Sequence, residues 1–239
     1  MRRPATAVLL SLVAFAMTGA AQAAPFDAEG FRGLAEERFG SQVQAVVPHG
    51  TRYPSLITGL REMTEGPDLA ARASWFLERH AALLGLAAAD FRVVSESATH
   101  RSRVVRLRQM ADGLEVADRG ATVVFDESGR EVRSVHLNVA EVALAPAEDL
   151  ISHEEAEALA RAEVAGQAEG VRVRIGLTVL AGPPARRAYQ VLVPTIIPLG
   201  QVSVFVDAAT GETLWLRRDS IHRESGPAMS FDAESGGGR

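Results

Sequence analysis

The sequence predicts an α+β protein made of two tandem units, each a helix followed by a curved antiparallel sheet. Three observations predict this class. Arginines alternate with apolar residues from Arg101 to Arg108, the period-two pattern of a half-buried strand. Turn signals at Asp112-Gly113 and at 126–129 divide the run 101–138 into an antiparallel meander with one wet and one dry face. Helical spacing occurs before each sheet and does not alternate with single strands, which favours α+β over α/β.

The first residues have the features of a secretory signal peptide, which we assign to residues 1–23. Arg2 and Arg3 form a short positive segment, residues 5–17 are apolar, and Ala21-Gln22-Ala23 offers small side chains at a cleavage site. The apolar stretch is too short to cross a bilayer, which takes about 20 residues. We therefore expect a secreted or periplasmic protein with no membrane span. Loss of the two arginines takes the net charge from −5 to −7.

Composition excludes several classes of function. The net charge of −5 argues against nucleic-acid binding, which needs a basic surface. The chain has no cysteine, which excludes disulfides, a lipoprotein anchor cysteine and a thiol nucleophile. Core packing alone must therefore stabilise the exported chain. No pattern in the sequence sets the oligomeric state.

Residues 24–66 are predicted to form an N-terminal helix and a hairpin. The helix is expected over 27–39 and ends at Gly40. Two strands are expected at 42–47 and 53–60, on either side of a short loop.

The first main unit is predicted to span residues 67–138. Its helix is expected over 68–84, where apolar side chains recur every three to four residues, and Gly85 stands in the usual C′ position. A short extended run, 91–94, precedes the meander. Residues 139–150 contain Pro146 and several acidic residues, and they are expected to form a linker.

The second unit is predicted to span residues 151–218. Ser152 and Glu155 have the spacing of a capping box at the start of a helix that runs to about residue 164. Four strands are expected after it, with a turn at 207–211 between the last two. Residues 219–239 are glycine-rich and polar, which predicts a disordered, flexible tail.

The order and spacing of several short segments resemble two known families. The first half resembles the fungalysin/thermolysin propeptide (FTP) domain, and the second half resembles the PepSY domain that accompanies it in the pro-regions of metallopeptidases. Together the likeness covers roughly residues 50–217. The segments that carry it are Ala73–Leu77, His80–Leu86, Val104–Gln109, Gly113–Val116, Ile151–Ala156 and Val204–Glu212.

This resemblance implies two cystatin-like units and a secreted, non-catalytic, propeptide-like protein. Such a protein would inhibit a zinc metallopeptidase of the thermolysin or fungalysin type, assist its folding, or do both, in cis or in trans. No cofactor is implied. The segment after Arg217 and the wet face of the first sheet are the expected contact surfaces. The family-motif positions, expected to be structural or to contact the partner, are Phe76, Leu77, Gly85, Gln109, Gly113, Asp207 and Gly211.

Two other functions stay open. The chain could be the pro-region of a truncated peptidase precursor whose catalytic domain is absent, since the glycine-rich residues 236–238 resemble a linker between modules. Alternatively it could be a binding module of the cell envelope with no connection to peptidases.

No catalytic motif is present in the sequence. A zinc peptidase needs H-E-x-x-H, with two histidines four residues apart on one helix face. The segment His153–Glu157 comes nearest, but its fifth residue is glutamate, and a helix start explains its acidic residues. The sequence also lacks a G-x-S-x-G elbow, a P-loop and a dinucleotide-binding glycine motif. We therefore predict that the chain is not an enzyme.

Overall fold

The computed structural model describes residues 28–40, 42–48, 54–86, 89–146, 150–167, 170–196 and 199–220. The signal peptide assigned to 1–23, and the predicted tail from residue 221 onward, lie outside these residues. The helices within them are α1 (Ala28–Phe39), α2 (Leu69–Arg79), α3 (Ala81–Leu84) and α4 (His153–Ala162). The strands are β1 (Gln44–Val46), β2 (Leu56–Met63), β3 (Asp90–Ala98), β4 (Arg103–Ala111), β5 (Leu114–Phe125), β6 (Glu131–Asn138), β7 (Arg174–Leu180), β8 (Arg186–Ile196), β9 (Leu199–Asp207) and β10 (Thr213–Ser220).

The α+β class is confirmed, and the strands of both predicted units belong to one sheet. The first part has the order β1-β2-β6-β5-β4-β3, and the second has the order β7-β8-β9-β10. The pairs within each part are antiparallel. The two parts are joined by a short parallel contact between β5 and β7.

Local sequence signals explain most turns and helix starts. Asp112 and Gly113 have φ values of 49° and 75°, as a two-residue type I′ hairpin requires. The carboxylate of Asp126 accepts the backbone N–H groups of Arg130, which precedes β6, and of Glu131, its first residue, at 3.0 and 3.1 Å. Asp68 and Ser152 cap α2 and α4, each accepting a backbone N–H three residues further on, at 2.8 and 3.1 Å.

Several elements differ from their predicted bounds, among them the strands expected at 42–47 and 53–60, which lie at Gln44–Val46 and Leu56–Met63. Three further differences have a clear cause. The helix expected over 68–84 is divided at His80, whose backbone (φ −106°, ψ 11°) is not helical and whose side chain enters the core. β3 continues to Ala98 because it pairs with β4 along its whole length. β10 continues to Ser220 because it pairs with β9 up to Gly200, so residues 219 and 220 extend the strand into the segment expected as a tail.

The strand β5 leaves the first part of the sheet over a few residues and then returns. Arg108 of β4 pairs with Gly120 of β5, but the next pair is Met110 with Glu115. Between these two pairs β5 advances by five residues while β4 advances by two, which makes a large β-bulge in β5. Within the extra segment, Val116 pairs in parallel with Val179 of β7. The same bulge that interrupts the first ladder thus starts the connection to the second unit.

Two backbone positions allow the bulged strand to rejoin its ladder. Asp118 has a φ of 56°, a left-handed conformation that aspartate adopts more readily than most residues. At Gly120 an added Cβ would lie 2.1 Å from the carbonyl oxygen of Leu107, so only glycine permits this close approach.

Polar contacts hold the two units together around the bulge. The Thr178 hydroxyl donates to the Glu115 carbonyl at 2.7 Å. Arg187 of β8 donates to the carboxylate of Asp112 and to the carbonyl of Ala145, both at 2.7 Å. These bonds tie β7, β8 and residues 139–146 to the β4–β5 hairpin.

Each helix covers one face of its part of the sheet, and a third small core lies between the units. In the first core α2 and α3 pack against β2, β4, β5 and β6. In the second, α4 packs against β8 and β9. The third consists of buried Val116, Val179 and Ala185, with partly buried neighbours that include Leu144 of the predicted linker. Because this junction buries apolar side chains from both units, they form one packed body.

His80 is a buried titratable group in the first core. Its ring packs against Phe39 and Phe76, at 4.9 and 4.8 Å between ring centroids. Its Nε2 lies 2.8 Å from Oε2 of Glu62, but no well-directed hydrogen bond forms, so the contact is electrostatic. Burial lowers the pKa of His80, and the positive charges of Arg38 and Arg79 lower it further, while Glu62 opposes the shift.

This lowered pKa predicts that the fold loses stability on acidification. In the unfolded chain His80 takes up a proton near its ordinary pKa of about 6.5, whereas in the folded chain it stays neutral to lower pH. The contribution of neutral His80 to the free energy of unfolding is fully present above the pKa of the unfolded chain. It is lost as the pH falls from there toward the lower pKa of the folded chain. His80→Phe keeps an aromatic ring between Phe39 and Phe76 and cannot titrate, so its melting temperature should fall less between about pH 7.5 and 5.5.

The measurement is thermal unfolding by circular dichroism across this range. His100→Asn, a change at an exposed histidine, is the control and should keep the slope of the unsubstituted protein. Equal slopes for the His80→Phe variant and the unsubstituted protein would contradict the prediction.

Candidate functional site

Three of the family-motif positions lie in the first unit and have structural roles. Phe76 and Leu77 are buried on the inner face of α2, at 1% and 3% exposure, within the first core. Gly85 ends α3 with a φ of 71°, and its N–H donates to the carbonyl of Ala82. None of the three presents an exposed side chain to a partner.

Gln109 and Gly113 lie at the junction between the units. The Gln109 side chain is 3% exposed, and its amide makes two bonds to one residue of the predicted linker. It donates to the carbonyl of Ala140 at 2.6 Å and accepts from the N–H of Ala140 at 3.0 Å. Gly113 completes the turn that places Asp112 against Arg187. Gln109 therefore fixes the segment 139–144 against β4, as a backbone pairing would.

Asp207 and Gly211 shape the turn between β9 and β10. The Asp207 carboxylate accepts the N–H groups of Ala209 and Thr210, at 2.9 and 3.0 Å, and lies 3.3 Å from Arg186. Burial opposes its ionisation, but these hydrogen bonds outweigh burial and lower the pKa of Asp207. Gly211 has a φ of 75°, and an added Cβ would lie 3.0 Å from Leu159 of α4.

The structure brings one motif position of each unit, Gly113 and Asp207, to the start of β8. Arg186 and Arg187 are consecutive residues at the start of β8. Arg186 pairs with Asp207 and Arg187 pairs with Asp112, so the β9–β10 turn and the β4–β5 turn lie on either side of one strand end. These contacts form a structural connection between the units.

The described residues contain no group of three or more histidines or carboxylates placed to hold a metal ion. His153, the first residue of the segment nearest to a zinc motif, is exposed at the start of α4, with its ring 5.0 Å from that of Tyr189. Among the described helices none has the length and apolar character needed to cross a membrane.

A groove that the sequence does not predict lies beside Gln109. Its volume is about 500 Å³. The groove runs between the end of β4 and the segment 139–144, and Leu86 and Asp90 also line it. The sequence of 139–144 contains no feature that distinguishes a packed segment from a free linker. The alternation along β4 places the Gln109 amide on the inner face of the strand, where it needs a hydrogen-bond partner. This position is the signal that a nearby segment packs against β4.

The outer face of the first sheet part carries arginine side chains, which confirms the predicted wet face. Arg106 and Arg108 are exposed, while Val105 and Leu107 between them are buried. A hollow of about 410 Å³ lies over this face, and its lining includes His136 and Asn138 of β6. This surface combines positive charge with a concave shape.

The second candidate surface is the outer edge of β10. This strand pairs with β9 on one side and has no strand partner on the other within the described residues. Trp215 and Leu216 are 43% and 42% exposed. Trp215 stacks on Phe205 at 5.1 Å, and Arg217 lies over its ring and pairs with Asp118 of the β5 bulge. An exposed edge with apolar side chains is a template for pairing with another strand.

No family model and no curated protein matches the chain. Among solved structures, the Bacillus megaterium YpeB C-terminal domain aligns with 10% identity and a TM-score of 0.39, over 81% of this chain and 98% of that chain. A protein of Clostridium difficile 630, provisionally described as a lipoprotein, aligns with 12% identity and a TM-score of 0.26, over 62% of this chain and 90% of that chain. Both TM-scores are below 0.5.

The two hydrogen bonds between the Gln109 side chain and the backbone of Ala140 predict that substitution of Gln109 lowers the stability of the fold. Gln109→Met has a similar volume but leaves the N–H and the carbonyl of Ala140 without this partner. We expect a loss of about 1–3 kcal/mol in the free energy of unfolding, together with faster hydrogen exchange at the Ala140 amide. Denaturant unfolding and amide exchange measure both effects.

The matched control for this change is Gln44→Met. Gln44 is exposed on β1, so the same chemical change should cost about 0.5 kcal/mol or less. If the two variants lose equal stability, or if exchange at Ala140 is unchanged in Gln109→Met, the Gln109 bonds do not hold the segment.

Proposed function

We propose that the chain is a secreted, non-catalytic, propeptide-like module that inhibits a zinc metallopeptidase of the thermolysin or fungalysin type, assists its folding, or does both. The proposal is supported by where the segments of the sequence resemblance lie. They form α2 and α3, the β4–β5 hairpin, the start of α4 and the β9–β10 turn. These elements build two helix-on-sheet units in the order that the resemblance implies.

The observation that carries the proposal is the outer edge of β10. Within the described residues this edge has no paired strand, and its exposed Trp215 and Leu216 add apolar area. An edge strand binds an extended segment through main-chain hydrogen bonds, which supply affinity, while neighbouring side chains supply specificity. The strand that borders a peptidase cleft is a partner of this kind.

The mechanism follows from edge pairing next to a substrate cleft. When β10 adds to the rim of the cleft, the chain that continues from it is guided across the substrate site. A segment held there in an extended but poorly reactive geometry blocks substrate, and it is cleaved slowly because the packed units limit its movement. The same surface gives a folding peptidase a preformed strand against which its own rim can order.

The experiment is a trans-inhibition and refolding assay with purified residues 24–239, which include every described element. Thermolysin is the probe enzyme, and a peptidase encoded by a neighbouring gene is the second. We expect slow-binding inhibition and faster recovery of activity on refolding from denaturant. If the protein is digested, inhibits neither enzyme and does not speed the refolding of either, the proposal is wrong.

Edge pairing predicts that a charge at Leu216 weakens inhibition. Leu216→Lys places an ammonium group on the exposed edge, and a charge of this kind blocks edge-to-edge pairing. We expect the inhibition constant to rise by roughly tenfold, equivalent to about 1.4 kcal/mol, with little change in melting temperature. Inhibition kinetics measure the effect.

Val171→Lys provides the matched control. Val171 has nearly the same exposure as Leu216, 44% against 42%, and it also belongs to the second unit, where it lies outside the strands. The control should inhibit as the unsubstituted protein does. Equal inhibition by both variants would exclude the β10 edge as the contact.

A further inference from the structure

Two arginines on the outer face of the first sheet part have no partner. In the part of the chain that the structure describes, the side chains of Arg106 and Arg108 make no hydrogen bond and no ion pair. Their neighbours do: Arg92 pairs with Glu115, and Arg119 donates to the side chain of Asn138 at 2.6 Å. Arg106 and Arg108 are therefore available to an outside ligand.

Retaining Arg108 costs the free protein stability. Arg108 lies directly opposite Arg92 in the pairing of β4 with β3. Like charges at such positions repel each other and destabilise a sheet. Glu115 compensates Arg92 alone, because its contact is with the Arg92 guanidinium. A negative charge bound at Arg108 would remove this repulsion.

The hollow between the strands has room for such a group. Arg108 lies opposite Gly120, which in turn lies opposite Asn138. All three residues line the hollow of about 410 Å³. One step along the strands, Arg106 lies opposite Thr122, whose hydroxyl is a further donor. The hollow is thus lined by guanidinium groups and neutral hydrogen-bond donors, together with Asp118, whose carboxylate is already paired with Arg217.

We propose that this hollow binds an extended acidic segment of a partner protein, with carboxylates at alternate positions paired to Arg106 and Arg108. The two arginines are two residues apart on one strand, so their Cα atoms are about 6.7 Å apart. An extended peptide that carries Asp or Glu at every second residue places its carboxylates at the same interval. Each guanidinium can hold a carboxylate through two parallel hydrogen bonds.

Shape favours a peptide over a membrane. The arginines line a concave hollow of about 410 Å³ and do not form the broad basic surface that an anionic bilayer would contact. The partner that carries the acidic segment need not be a peptidase, so a failure to bind such a segment would leave the proposed function intact.

The test is a fluorescence anisotropy titration of the purified chain with labelled peptides. The first peptide alternates Glu with Thr, the second has the same composition with all Glu residues adjacent, and the third replaces Glu with Gln. We expect the alternating peptide to bind about tenfold more tightly than the adjacent one, the Gln peptide not to bind, and affinity to fall with salt. Vesicles containing phosphatidylglycerol test the membrane alternative by co-sedimentation.

The variants are Arg106→Gln and Arg108→Gln, with Arg172→Gln as the control of equal charge change at an exposed arginine in the other unit. Arg106→Gln and Arg108→Gln should each weaken binding of the alternating peptide by about tenfold, and the control should leave its affinity unchanged. Arg108→Gln should also raise the melting temperature, by about 1–3 °C, because the repulsion from Arg92 is removed. If Arg108 stabilised the fold, its substitution would instead lower the melting temperature.

Three results would overturn the proposal. The first is equal binding of the alternating and adjacent peptides. The second is unchanged binding after substitution of Arg106 and Arg108. The third is binding to the vesicles and not to the peptides, which would assign this face to an anionic membrane.

Discussion

The bulge in β5 is the constraint on which the rest of the structure depends. One strand cannot keep its ladder with β4 and also reach β7, and the extra residues between Glu115 and Gly120 resolve this conflict. They allow Val116 to pair with β7 while both ends of β5 stay in the first sheet part. The cost is a left-handed backbone at Asp118, which burial of Val116 in the third core helps to offset. Without the bulge the two units would lose the pairing of β5 with β7 and would keep only contacts such as that of Arg187 with Asp112.

The bulge also places the two candidate surfaces in a fixed relation. Asp118 makes contacts in both directions: its carboxylate pairs with Arg217 of β10, and its carbonyl accepts from the side chain of Asn138 at 2.7 Å. Asn138 lines the arginine hollow, and Arg217 belongs to the free edge of the sheet. The two surfaces are therefore preformed relative to each other. Binding of a partner that contacts both would cost less conformational entropy than if the two units were hinged.

The sequence predicts elements whose cause is local and fails where the cause is distant. Asp112-Gly113 and Ser152 act on residues within a turn of themselves, so their patterns predict a hairpin and a helix start, and both are confirmed. The break at His80 depends on a core pocket between Phe39 and Phe76, and the packing of 139–144 depends on Gln109, 31 residues away from Ala140. Gly120 within an alternating strand was a signal for the bulge, but it does not indicate that β7 is the partner.

The motif positions and the candidate binding positions are different sets of residues, and their burial explains why. Phe76, Gln109 and Asp207 are buried with satisfied partners, so these positions specify the fold. A surface that binds a partner must instead expose groups that the fold does not satisfy, as Arg108 and Leu216 do. Such groups add little to the stability of the free protein, and Arg108 lowers it through Arg92. A short sequence motif can therefore mark the scaffold while the residues that choose the partner carry no motif.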